Sequence, residues 1–315
     1  PDKAWIMPLG LSFFTFRLVA WQVDLHRGDS PRPLNWGFIP TFLAYFPQWP
    51  MGPIERARDL LPQMESPRWQ WERLLPALDR LVWALFKKMV LADRLALLVE
   101  AVMNQPHNHG VFVLLGLYAF AVQIYCDFSA FTDLAVGLSL LLGLRSAENF
   151  QTPYSARSVA QFWQKWHISL SNWLRDYLFL PMAYRFSRIL GAHTRMKASL
   201  LDRWVYTLAI LLTMGVAGWW HGSTWMFLVW GLLFGVYQSL GQWLKKGRNR
   251  FWKKASPGGI MLRLRPLLQV LLTFHLVLLA WLFFRLPSGA ALGVWCQELF
   301  RLPVQAAVWG QSVLA

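Results

Sequence analysis

Apolar residues run along this 315-residue chain in long blocks, and charged positions cluster between them. The longest block, Trp204 to Leu244, holds no Asp, Glu, Lys or Arg in 41 residues. As one straight helix it would be about 60 Å long, about twice the thickness of a bilayer core. It therefore predicts two helices joined at a break. The segment Gly218-Trp219-Trp220-His221-Gly222-Ser223-Thr224 has the small and hydroxylic residues that tolerate one. Pro266 to Phe284 predicts a clean span, and Ile6 to Val23 is apolar apart from Arg17. Trp36 to Trp49 is too short to cross, and its prolines predict a re-entrant piece. Leu74 to Val102 predicts a helix whose Lys87, Lys88, Asp93 and Arg94 place it partly in the interface. Val111 to Leu144 is 34 residues long, contains Asp127 and Asp133, and predicts two helices. Pro287 to Ala315 is apolar but irregular. No repeat, low-complexity tract or polar linker divides the chain, so residues 1–315 read as a single all-α, polytopic membrane domain.

A second periodicity covers Phe162 to Tyr177. Phe162, Trp163, Trp166, Leu170, Trp173, Leu174 and Tyr177 occupy about 120° of one helical wheel, with Gln164, Lys165, Ser171, Asn172, Arg175 and Asp176 elsewhere. This predicts an amphipathic helix at the membrane interface with Trp anchors. His167 falls about 20° outside the apolar stripe. There it either points into a cavity or is solvated.

Composition sharpens the class. Hydrophobic residues make up 56% and charged residues 15%, against roughly 25% charged in soluble domains. Yet Lys and Arg number 31 against 16 Asp and Glu, a net charge of +15. A nucleic-acid binder can be this basic but would not carry 20 Trp and 22 Phe on so apolar a chain. Disorder is excluded by the hydrophobicity, and a disulfide scaffold by a cysteine count of two. Cys126 and Cys296 both lie in apolar stretches and read as buried thiols. Met182 to Arg203 carries five basic residues and one acid, and Lys245 to Arg265 carries eight and none. Basic loops stay cytoplasmic, so two crossings lie between these flanks. The turn at His221 then faces away from the cytoplasm or sits in a cavity open to that side. The chain starts at Pro1 with no signal peptide, which reads as a processed chain or a fragment.

Seven histidines are present. The His107-x-His109 pair has no Cys or carboxylate cluster beside it and reads as a loop rather than a metal site. His193 lies in a basic loop, and His275 in an apolar span reads as a core residue. His221 is different: an ionisable group inside an apolar stretch is a functional candidate, and its near-neutral pKa suits it to take and return a proton. There is no Gly-x-Ser-x-Gly elbow, no activated cysteine and no phosphate-cradling loop. A histidine without a protein nucleophile fits deprotonation of an acceptor hydroxyl that attacks an acyl thioester. Asp127 and Asp133 read as proton carriers or as ligands of freed backbone groups at a helix break.

Several runs of the chain belong together: Val122-Gln123-Ile124-Tyr125-Cys126-Asp127-Phe128-Ser129 with Thr132-Asp133, and Glu148-Asn149-Phe150. They continue in Phe162-Trp163-Gln164-Lys165-Trp166-His167-Ile168-Ser169-Leu170-Ser171, Trp173-Leu174-Arg175-Asp176-Tyr177 and Trp220-His221-Gly222, with Met51-Gly52-Pro53-Ile54 and Leu85-Phe86-Lys87-Lys88 beside them. Together these motifs resemble the membrane-bound O-acyltransferase family, and within it the bacterial subgroup that includes the alginate O-acetylation membrane protein. Pro181 followed by Met182-Ala183-Tyr184, where relatives often have Gly-Gly, and Ala130 in place of Gly depart from the pattern. The resemblance implies a multi-pass helical bundle around a tunnel, in the bacterial inner membrane, with the family's N-terminal spans missing. It implies that His221 and His167 are catalytic, with Trp166, Arg175, Asp176, Asn149, Asp127, Asp133 and Trp220 as candidate substrate-binding positions. Arg175 and Lys165 would meet donor phosphates or form a solvated face. It implies no cofactor and no metal. The donor would be acetyl-CoA or another acyl thioester, and the acceptor an exopolysaccharide such as alginate or a periplasmic acyl-accepting protein. Transfer of D-alanine to teichoic acid and a non-enzymatic transporter subunit are the competing readings.

Overall fold

The computed structural model describes residues 10–30, 37–49, 51–103, 110–194, 196–254 and 260–300. His107 and His109 lie outside these residues, as do 1–9 and 301–315. The described chain is all-α, with no strand in it. In chain order the helices are α1 (Leu11–Arg27), α2 (Phe38–Leu43), α3 (Ala57–Glu65), α4 (Leu74–Leu85), α5 (Asp93–Met103), α6 (Val111–Leu141) and α7 (Val159–Trp163). They continue as α8 (Ile168–Leu174), α9 (Leu180–His193), α10 (Ala198–His221), α11 (Trp225–Lys254), α12 (Ile260–Arg285) and α13 (Gly289–Phe300). Among the described residues, three helical stretches are long and apolar enough to cross a bilayer: Phe112–Leu141, Ala198–His221 and Leu262–Arg285.

The charge-free block does divide. α10 and α11 form an antiparallel hairpin that turns at 222–224, and theirs is the most extensive helix contact in the fold. Their close approach depends on glycine. A Cβ on Gly231 would fall on the Met214 carbonyl oxygen and on Gly218, and one on Gly218 would fall on the Phe227 carbonyl oxygen. Small residues let helix backbones meet in lipid, where burying apolar area against apolar tails gains nothing.

Two expectations are corrected. Val111 to Leu141 is one helix, not two. It needs no break at Asp127 or Asp133 because a neighbouring rod neutralises both. α4 and α5 are joined by a π-helical stretch, Phe86–Ala92, that packs along α6. Lys88 pairs with Asp127 at 2.8 Å, Arg80 pairs with Asp133 at 2.6 Å, and Lys87 reaches Asp133 and, at 3.0 Å, Ser129. Charges within a span persist when paired in this way. The helix-break reading of the two aspartates therefore falls.

The second correction concerns Phe162 to Tyr177, which is not a continuous helix. α7 ends at Trp163, and α8 starts only after His167. The loop after Glu148 intercepts the backbone groups a continuous helix would use. Ile168 N–H donates to the Asn149 carbonyl at 3.0 Å, and Gln151 N–H donates to the Lys165 carbonyl at 3.0 Å. Two smaller departures occur at the ends of the chain. The apolar C-terminal stretch contains a regular helix, α13, and Cys296 is exposed. The short piece 37–49 forms α2 and a 3₁₀ turn, consistent with a segment too short to cross.

A buried polar network ties this short piece to the rest. Arg17 donates to Gln48 Oε1 at 2.6 Å and to the Phe42 carbonyl at 3.1 Å. Gln48 and Ser146 both donate to Glu55. Arg17 and Glu55 are almost fully buried, so each charge depends on these partners.

Candidate active site

His221 is the last residue of α10 and sits where the hairpin turns. Its imidazole is enclosed by aromatic rings: Trp220 at 4.6 Å, Trp230 at 4.9 Å and Phe284 at 5.3 Å between centroids. α10, α11 and α12 thus each supply a wall.

His167 lies outside the three spans, at the break between α7 and α8. It is 2% exposed, so it is neither solvated nor at an interface edge. Its backbone is left-handed, φ 43°, a conformation that costs energy for a residue with a side chain. Asn149 compensates. Asn149 is fully buried; its carbonyl accepts from Ile168 N–H, and its side-chain Oδ1 accepts from Ser169 N–H at 3.1 Å. Ser169 Oγ in turn accepts from Ile54 N–H at 2.9 Å. The His167 ring packs edge-on against Phe128 of α6 at 4.7 Å, and its Nδ1 has no hydrogen-bond partner among the described residues. Burial, and then the neighbouring His221, hold its imidazole well below its ordinary value near 6.5, so it is neutral. The two histidines are therefore brought together from elements more than fifty residues apart.

Between them runs an aromatic core. Trp166 packs on Phe150 at 5.1 Å and on Trp281 at 5.0 Å, and Trp281 stacks on Trp230. Trp166 is thus a core residue, 3% exposed. Trp220 also meets Phe16 of α1 at 5.1 Å.

Two cavities flank α8 and share Leu174 as a wall. One, of about 470 Å³, is apolar and lined by Phe16, Trp173, Tyr177, Val216 and Trp220, among others. The other, of about 300 Å³, is more polar and lined by Trp163, Gln164, Ser171, Asn172, Arg175 and Gln238, among others. Arg175 lines the second cavity and pairs with Asp176 at 2.8 Å, while Asp176 also receives Arg56 at 3.1 Å. Lys165 does not line that cavity; it donates to Ser155 at 2.9 Å. Asp127 and Asp133 face the α4–α5 rod and are engaged there by lysine and arginine. Asn149, Asp127 and Asp133 thus all have structural partners. Phe128 and Trp163 belong to the motifs quoted above, whereas Trp230, Trp281 and Phe284, which also shape the site, stand in none of them. Among the described residues no group of three or more His, Cys, Asp or Glu is arranged to hold a metal.

A polytopic all-α membrane bundle, with a histidine at the tip of a charge-free hairpin and a second one buried across an aromatic core from it, defines a class of integral membrane protein. Within it, the model of the membrane-bound O-acyltransferase family matches residues 33–286, and the chain belongs to that family. It is 32% identical over 282 residues to a probable alginate O-acetylase AlgI of Azotobacter vinelandii, covering 89% of this chain and 51% of that protein. It is 28% identical to a peptidoglycan O-acetyltransferase of Helicobacter pylori, covering 89% of this chain and 54% of that one. Identity to a teichoic acid D-alanyltransferase of Bacillus subtilis is also 28%, covering 88% and 68%. The chain spans about half the length of the alginate O-acetylases it matches.

Proposed function

We propose that this chain forms the catalytic core of an O-acyltransferase of the bacterial inner membrane. It moves an acetyl group from a cytoplasmic thioester, such as acetyl-CoA, toward an extracytoplasmic polysaccharide or an acyl-accepting protein. The observation that carries this reading is His221 at the tip of the hairpin, caged by Trp220, Trp230 and Phe284 and close to the neutral His167. His221 takes the proton of the acceptor hydroxyl as its oxygen attacks the thioester carbonyl, then returns the proton to the leaving thiolate. His167 orients the acyl group or relays the proton, and its neutrality leaves a lone pair for that purpose. Family membership and the acetyltransferase relatives support acetyl as the cargo.

The His221→Ala variant of the full-length protein is expected to reach the membrane folded and to leave the cell's polymers without the added acyl group. Unchanged acylation in that variant would sink the assignment. The similarity to teichoic acid D-alanyltransferases supports a second cargo, D-alanine. The mass of the group released from the polymer by mild alkali separates the two.

A further inference from the structure

Three nitrogens in the aromatic core are buried yet have no hydrogen-bond partner among the described residues: Nδ1 of His167 and the indole Nε1 of Trp163 and of Trp230. Trp230 is 1% exposed. A polar group kept dry and unpaired is disfavoured, so each such case calls for a reason. Trp295 also carries an unpaired indole nitrogen. Among these indoles it is Trp230 whose ring lies against His221, with centroids 4.9 Å apart and planes at 83°. Trp163 lies 5.9 Å beyond it and lines the polar cavity with Arg175 and Gln238. Two indoles with unused N–H donors therefore stand between that cavity and His221.

We propose that the indole N–H of Trp230 is the hydrogen-bond donor for the acyl oxygen at the reacting centre. This rests on the acyl-transfer reading. When the acceptor oxygen bonds to the thioester carbon, the carbonyl π-electrons move onto oxygen and the acceptor's proton passes to His221. The oxyanion needs a donor already in place. The intermediate then collapses: the C–S bond breaks, the carbonyl re-forms as an ester, and the thiolate takes the proton from His221. Trp230 suits the donor role on two counts. It is neutral, so it does not disfavour the protonated form of His221. It is also held rigidly, by Phe284 at 5.3 Å, Phe234 at 5.4 Å and the stacked Trp281 at 6.2 Å, so little reorganisation is needed.

The test replaces Trp230 in the full-length protein with 3-benzothienylalanine, which has the shape of tryptophan but sulfur in place of N–H. Tryptophan placed by the same suppression system serves as the control. The rate of polymer acylation in cells is read by mass spectrometry after a short label, alongside protein abundance and unfolding temperature in detergent. The expected result is a fall of about a hundredfold, the scale of losing one oxyanion donor, with abundance and unfolding temperature unchanged. A benzothienyl variant that works at the control rate, while His221→Ala is inactive, overturns the inference and leaves the acyl-transfer reading intact. A rate loss that only tracks a loss of folded protein also overturns it. If His221→Ala acylates normally, the acyl-transfer reading fails and the inference falls with it.

Discussion

His167 is the residue at which local preference and tertiary structure disagree most. Its neighbours favour a continuous amphipathic helix, yet its φ of 43° ends one helix and starts another. Asn149 supplies what the helix would have supplied, accepting from Ile168 N–H through its carbonyl and from Ser169 N–H through its side chain. An Asn149→Ala substitution removes the second acceptor and leaves a buried N–H unpaired. The expected cost is about 1–3 kcal/mol, read as a lower unfolding temperature in detergent, with acylation reduced because His167 loses its fixed backbone. Asn149→Ala at wild-type stability would mean that the Ser169 bond does not hold the turn. Asn149, read from its motif as a substrate-binding position, is fully buried and holds the backbone next to His167. Nothing in the local sequence distinguishes these roles, because the bond joins residues twenty positions apart.

At the scale of elements, the α10–α11 hairpin carries the candidate base, and its geometry is set by backbone contact rather than by side-chain bulk. Gly231 is the tightest point: any Cβ there meets the Met214 carbonyl oxygen. Gly231→Ala is expected to push the helices apart, cost about 1–3 kcal/mol as overpacking does, and lower acylation by displacing Trp230 from His221. Gly241→Ala, further along the same helix and with open space around it, is the control and is expected to be neutral or slightly stabilising. Equal effects of the two substitutions on stability would overturn the close-packing account. The α4–α5 rod shows the opposite device. Its Lys87, Lys88 and Arg80 neutralise the aspartates of α6, which allows one long helix where their charges had predicted two.

At the scale of the whole molecule, charge sets orientation. The two flanks of the hairpin carry net charges of +4 and +8 of a total of +15, and flanks this basic are expected on the cytoplasmic side. Ser223 at the tip is exposed, and Arg250 lies in the basic end of α11. In a Cys296→Ser background, Ser223→Cys is expected to react with a membrane-impermeant maleimide from outside intact cells. Arg250→Cys is expected to react only after permeabilisation. The reverse pattern would invert the topology and place His221 at the cytoplasmic face.

The all-α class, the membrane setting and the hairpin at His221 followed from the sequence because each rests on a one-dimensional quantity: run length, charge placement, or the tolerance of glycine for a break. So did the choice of His221 as an ionisable group in an apolar run. The tertiary structure alone decided that Asp127 and Asp133 are paired within an unbroken helix, that the Trp166-His167 stretch is a turn, and that Trp230 stands against His221. Each of these depends on which distant backbone or side-chain partner arrives to satisfy a charge or a hydrogen bond. Periodicity along a single chain carries no record of that partner.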